Sequence, residues 1–163
     1  MIGLRGSIKI VLGIIGLFTW AAGCATVPTT DTSANAAAKT FEPEPGMASV
    51  YLCRPSAVIG DTLVAQTELD GQMIGALAPN TFLLVSVAPG QHTFTVVGPT
   101  NEEQTSIDAV AGNVYFFKVS ITWAGPGVRH RHIEAMSDAD GRNDVNAETR
   151  AVATTNPATT NPE

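Results

Sequence analysis

The sequence predicts an all-β protein, an antiparallel β-sandwich of seven or eight strands, on three observations. Short runs rich in β-branched and aromatic residues recur every 8 to 12 residues or so and are punctuated by turn residues. Only 15% of the 163 residues are charged, while there are 15 glycines and 10 prolines, a balance that favours strands and turns over salt-bridged helices. Tyr115, Phe117, Val119, Ile121 and Trp123 alternate along one stretch, which places them together on the core face of a strand. A hydrophobic fraction of 44% in a chain of this length is enough for one domain with a real core.

The elements follow in order. Strands are expected near residues 47–54, 62–69, 72–77, 81–88, 91–98, 104–110, 113–123 and 128–137. Leu63, Ala65 and Leu69 share the inward face of the second strand, and Leu83, Val85 and Val87 that of the fourth. Asp70-Gly71 suits a hairpin turn that needs positive φ, Pro89-Gly90 suits a type II turn, and Gly125-Pro126-Gly127 interrupts any ladder. Ser137 to Arg150 is polar and closes with a short helix. The β-sandwich domain therefore spans 47–145. It is flanked by a flexible linker at 24–46, rich in Ala, Thr and Pro and reaching about 25 Å, and by a disordered tail at 146–163 in which Thr-Thr-Asn-Pro is repeated.

Residues 1–23 have the layout of a secretory signal: Arg5 and Lys9, then an uncharged stretch from Ile10 to Gly23. Those 14 residues fall short of the roughly 20 that span a bilayer as a helix. The stretch ends Ala21-Ala22-Gly23-Cys24, which resembles the lipobox of bacterial lipoproteins, although Ala21 stands where that family usually has Leu. The resemblance implies cleavage between Gly23 and Cys24 and acylation of Cys24. Several acyl chains, at about 0.8 kcal/mol per buried CH₂, would make a stable anchor. Ala25 follows the cysteine, and by that family's sorting rule the destination is the outer membrane, facing the periplasm.

Four motifs carry a second resemblance: Tyr51-Leu-Cys-Arg54-Pro55-Ser56; Leu69-Asp70-Gly71 with Ile74-Gly75 and Leu77; Val87-Ala-Pro89-Gly90-Gln-His92-Thr93; and Ala111-Gly112-Asn-Val-Tyr115-Phe116. In order and spacing these resemble the domain-of-unknown-function family 2846, a group of small bacterial envelope proteins, over about residues 47–141. The family implies an all-β, envelope-located domain without an established activity. The Pro-Gly-x-His turn is also similar to that of surface-layer and PEGA-type sandwich modules.

Net charge −6 and a pI near 4.9 exclude nucleic acid as the main partner, because phosphate binding needs surplus Lys and Arg. Cys53 lies in an apolar strand and reads as a small hydrophobe rather than a nucleophile. His130 and His132 share a strand face, but Arg129 and Arg131 beside them disfavour a cation. Asp138, Asp140 and Gly141 fit the centre of a calcium loop, yet register puts Met136 and Ala147 at its first and last ligands. His92 is expected to brace the turn beside it, and Arg54 to tie loop carbonyls or a carboxylate such as Asp70. No catalytic residue, cofactor or metal is expected.

Arg129 and Arg131 share the other face of the last strand and are the candidate contacts for an anionic partner, projecting together from the surface unless acids such as Glu134 or Asp138 pair with them. The favoured function is therefore a non-enzymatic, lipid-anchored interaction or structural module whose partner is peptidoglycan or another envelope protein. The alternative is a small-ligand receptor or hydrolase with a cleft built by the loops 55–61 and 98–103.

Overall fold

The computed structural model describes residues 26–56, 63–98 and 101–154. Gly23, Cys24, the signal segment and the repeats after Thr154 lie outside the described residues. In chain order the elements are α1 (Thr32–Ala38), β1 (Ala48–Arg54), β2 (Ala65–Leu69), β3 (Gln72–Leu77), β4 (Thr81–Val87), β5 (Gly90–Val97), β6 (Glu103–Ala109), β7 (Val114–Gly125), β8 (Val128–Ala135), α2 (Asp138–Ala147) and β9 (Thr149–Arg150). The eight expected strands are all present, and the two-residue β9 is additional.

The strands form two sheets, ordered β8-β7-β1-β4-β9 and β3-β2-β5-β6. Period-two alternation decides what lies between them. Val50, Leu52, Leu83, Val85, Val87, Phe117, Val119 and Ile121 point inward from the first sheet, while Ala65, Leu69, Ile74, Phe94 and Val96 meet them from the second. Phe94 and Phe117 pack ring against ring at 5.9 Å. The turn at Asp70-Gly71 adopts positive φ at both residues, 51° and 78°, as a tight hairpin requires.

The sandwich is not purely antiparallel. β1 pairs antiparallel with β4 but parallel with β7, and β9 runs parallel to β4. The chain leaves the first sheet after β1 and again after β4, and each return brings a strand back in whichever direction the crossover dictates. Trp123 also departs from expectation: it is 55% exposed, because β7 runs past the opposing sheet before the turn at Gly125 to Gly127.

Residues 26–46 and 146–154 are folded, in place of the flexible linker and disordered tail expected there. α1 starts on the Asp31 carboxylate, which accepts from the Ala34 N–H at 2.8 Å. Tyr51 donates its hydroxyl proton to the Ala38 carbonyl at 2.6 Å, and Phe41 packs on the Tyr51 and Phe116 rings. Lys39 donates to the carbonyls of Asn146 and Glu148 at 3.0 and 2.7 Å, joining the segment before the domain to the one after it. Thr29 bridges to Ala151, and the Val152 and Thr154 amides donate to Pro28 and Ile74. A low content of large apolar residues does not prevent this packing, since alanine favours helix and lets α1 approach the sheet closely.

These flanks, with α2, make a third layer over the outer face of the first sheet. Beneath it lies a second core of Ala38, Tyr51, Cys53, Phe82, Phe116 and Val145. Glu148 is buried at its margin, where its carboxyl has no side-chain hydrogen-bond partner among the described residues. Burial pushes this carboxyl from 4.5 up to about 8; Asp144 adds to the rise, and the Arg54 backbone amide and Lys39 oppose it.

Phe117→Ala is expected to lower stability by about 3 to 5 kcal/mol, whereas Trp123→Ala changes it by roughly 0.5 kcal/mol or less, as denaturant midpoints will measure. Glu148 makes stability pH-dependent. Its proton is held more tightly in the native state than in the unfolded chain, so the stability it lends is complete below pH 4.5 and is lost as pH rises through about 8. Urea midpoints of the wild type are expected to fall across this window, and those of Glu148→Gln to stay flatter.

Candidate functional site

β8 leaves the glycine turn and pairs with β7 so that Trp123 faces Arg129, Thr122 faces His130, Ile121 faces Arg131 and Ser120 faces His132. Alternation separates the arginines from the histidines, as expected. The arginine face, however, points between the sheets and not to solvent: Arg131 is 7% exposed and Arg129 half-buried. The pair is therefore not a projecting basic patch. The inward face is set by Ile133, which shares it and belongs to the core.

The acids that the arginines were expected to meet are occupied. Glu134 pairs with Lys118 at 3.7 Å and Asp138 with Arg142 at 2.8 Å. Arg131 Nε and Nη1 are buried and have no hydrogen-bond partner among the described residues. Leaving such donors unpaired away from bulk water is costly, so this arrangement is unusual in a folded interior.

Arg131 lines a cavity of about 320 Å³ together with Val64, Gln66, Val97 and Gly98 among the described residues. Gly98 is what admits its side chain: a Cβ at this position would stand within 2.6 Å of the Arg131 guanidinium carbon. Val64 and Gly98 also flank the two loops from which a cleft was expected.

The main chain of Arg131 is fixed independently. The Asn101 side chain accepts from its N–H and donates to its carbonyl, both at 3.1 Å, and so takes the place of a neighbouring strand. Glu103 extends this pairing. One oxygen accepts from the Ile133 N–H at 3.2 Å, and the other meets His132 Nδ1 at 3.0 Å. His132 Nε2 contacts the Thr122 hydroxyl at 3.0 Å, while His130 is exposed. Among the described residues, no group of three or more His, Cys, Asp or Glu side chains converges as a metal site.

The remaining candidates have structural roles. Arg54 Nη1 donates to the carbonyls of Leu63 and Leu77, each at 2.6 Å. Asp70 is engaged by His92 Nδ1 at 2.7 Å and by the Thr93 amide, and His92 Nε2 meets the Ala88 carbonyl, so this histidine braces two turns. Cys53 is fully buried, and burial pushes its thiol well above the ordinary range, away from nucleophilic use. Asp138 and Asp140 sit in the first turn of α2, where Ser137 caps the helix. Sequence reasoning placed Gly98 and Asn101 in a cleft loop at 98–103 but gave neither residue a role. The only signal for them was a glycine ending a strand, with an amide side chain three residues on.

Two comparisons bear on relationship. A protein of Haemophilus influenzae described as an uncharacterized protein is 28% identical over 141 residues, which cover 86% of this chain and 83% of that protein. The family described as protein of unknown function (DUF2846) matches residues 44–131, a stretch that runs from just before β1 to Arg131 itself. With more than half of its length matched, including the strands that enclose the cavity, the chain belongs to the DUF2846 family.

Proposed function

We propose that this protein is a non-enzymatic, lipid-anchored component of the cell envelope whose sandwich serves as an interaction module held close against the membrane. The observation that supports this reading is how soon after Cys24 the fold begins. Val27 packs on the main core, the Pro28 carbonyl accepts from Val152, and Thr29 bridges to Ala151. Only Ala25 and Thr26 lie between Cys24 and Val27, a span of about 10 Å at full extension.

An acyl-bearing Cys24 would thus seat the edge of the sheet near the headgroups, in place of the 25 Å stand-off that a free linker would give. No helix among the described residues is long and apolar enough to cross a membrane, so anchoring in this reading falls to the lipid. Peptidoglycan or another envelope protein at the outer membrane would be the partner met from that position.

Cys24→Ser is expected to accumulate as an unprocessed precursor without incorporated fatty acid. Radiolabelled palmitate found in the variant would overturn the anchor. A flexible insert of about 20 residues between Ala25 and Thr26 is expected to leave labelling intact but to weaken photocrosslinking between residue 29 and lipid headgroups.

A further inference from the structure

We propose that the Arg131 cavity binds a carboxylate borne on a small apolar body, of the size of an amino acid or the C-terminal residue of a peptide. This goes beyond the anchoring reading and does not depend on it.

The argument starts from the guanidinium. An arginine serving the fold finishes its donors on carbonyls or carboxylates, as Arg54 does on Leu63 and Leu77. Arg131 is buried to a similar degree, yet its Nε and Nη1 have no acceptor among the described residues. The Asn101 amide fixes the backbone of Arg131, and the guanidinium lies over Gly98, where a Cβ would oblige it to move.

The walls narrow the ligand class. The unpartnered Nε and Nη1 lie on different edges of the guanidinium, and each can donate a charge-assisted hydrogen bond to an oxygen of a carboxylate or a phosphate. Among the described residues, the lining offers besides Arg131 only Val64, Val97, Gly98 and one polar side chain, Gln66. Two carboxylate oxygens can be satisfied by Arg131 and the Gln66 amide, with the valines left for an apolar substituent. A phosphate group would bring further charged oxygens against those valines, with no further donor among the described residues to meet them, at a desolvation cost that a carboxylate escapes. The next inward pair toward the hairpin tip is Trp123 with Arg129, and the indole there is exposed. A ligand longer than the cavity would meet an aromatic surface next.

The test uses the full chain, purified in detergent micelles and labelled with nitrogen-15. The side-chain Nε–H resonance of Arg131 is followed while N-acetylalanine, N-acetylalanine amide or inorganic phosphate is added. N-acetylalanine is expected to shift the resonance saturably at about 10 mM, a concentration that fills a millimolar site. The amide is expected to have no effect, and phosphate to bind more weakly than the carboxylate. Arg131→Met and Gly98→Ala are each expected to weaken N-acetylalanine binding, measured by calorimetry, by about tenfold or more. Arg131→Met is also expected to hold or raise the denaturant midpoint, because it removes a buried, unpaired charge.

The proposal is overturned if N-acetylalanine gives no saturable shift, if the amide shifts the resonance equally, if phosphate binds as tightly, or if Arg131→Met binds as the wild type does. Should that variant fail to fold, the wild-type titration against the amide still decides the matter. Lipid attachment is read by palmitate labelling, so failure here leaves that reading untouched.

Discussion

The fold depends on β1 being buried on both of its faces. All seven of its residues are removed from solvent, with Val50 and Leu52 facing the sandwich core while Tyr51 and Cys53 face the opposite way. A two-layer sandwich leaves the outer face of each sheet wet, so a strand with two apolar faces demands a third layer. α1, Phe41 and α2 supply it, and the hydrogen bond from the Tyr51 hydroxyl to Ala38 ties that layer to the strand it covers. The folding of residues 26–46 and 138–154 over this strand follows from this demand. Lys39 reaches the Glu148 carbonyl because each of these segments covers the same strand.

Much of this was legible in the sequence, and what escaped has physical reasons. Alternation marks which residues share a strand face, and Phe117, Val119 and Ile121 fell together in the core accordingly. Alternation does not say how far the opposing sheet extends, which is why Trp123 was assigned to the core and lies exposed. It placed Arg129 and Arg131 on one face but could not say that this was the inner one, since charge argued for solvent and only the neighbouring Ile133 argued for the core. The alanines of α1 carried no hydrophobic signal because their contribution is close approach and not bulk. The continuous apolar run from Val50 to Cys53 was the overlooked clue, because it breaks the in-out pattern of a half-exposed strand.

Arg131 and Glu148 are opposite charges, both buried and both without a hydrogen-bonded side-chain partner, and the layering keeps them from neutralising each other. One sits between the two sheets and the other beneath the helices. The two respond to this differently. Glu148 can retain a proton and become neutral, whereas a guanidinium offers only donors and needs acceptors. Relief for Glu148 can therefore come from solution pH, but relief for Arg131 must come from another molecule, whether water or a ligand.

The pairing of Asn101 and Glu103 with the backbone of β8 has a further consequence. An edge strand with bare amides and carbonyls is a template on which another chain can extend the sheet. Here one amide side chain occupies both hydrogen-bonding groups of Arg131, and a carboxylate occupies the amide of Ile133. At the far edge of the same sheet, β9 is only two residues long and is followed by the bridge between Ala151 and Thr29. Where two copies meet edge to edge, growth of the sheet from one chain into the next is the hazard, and side chains that imitate a neighbouring strand make such encounters unproductive.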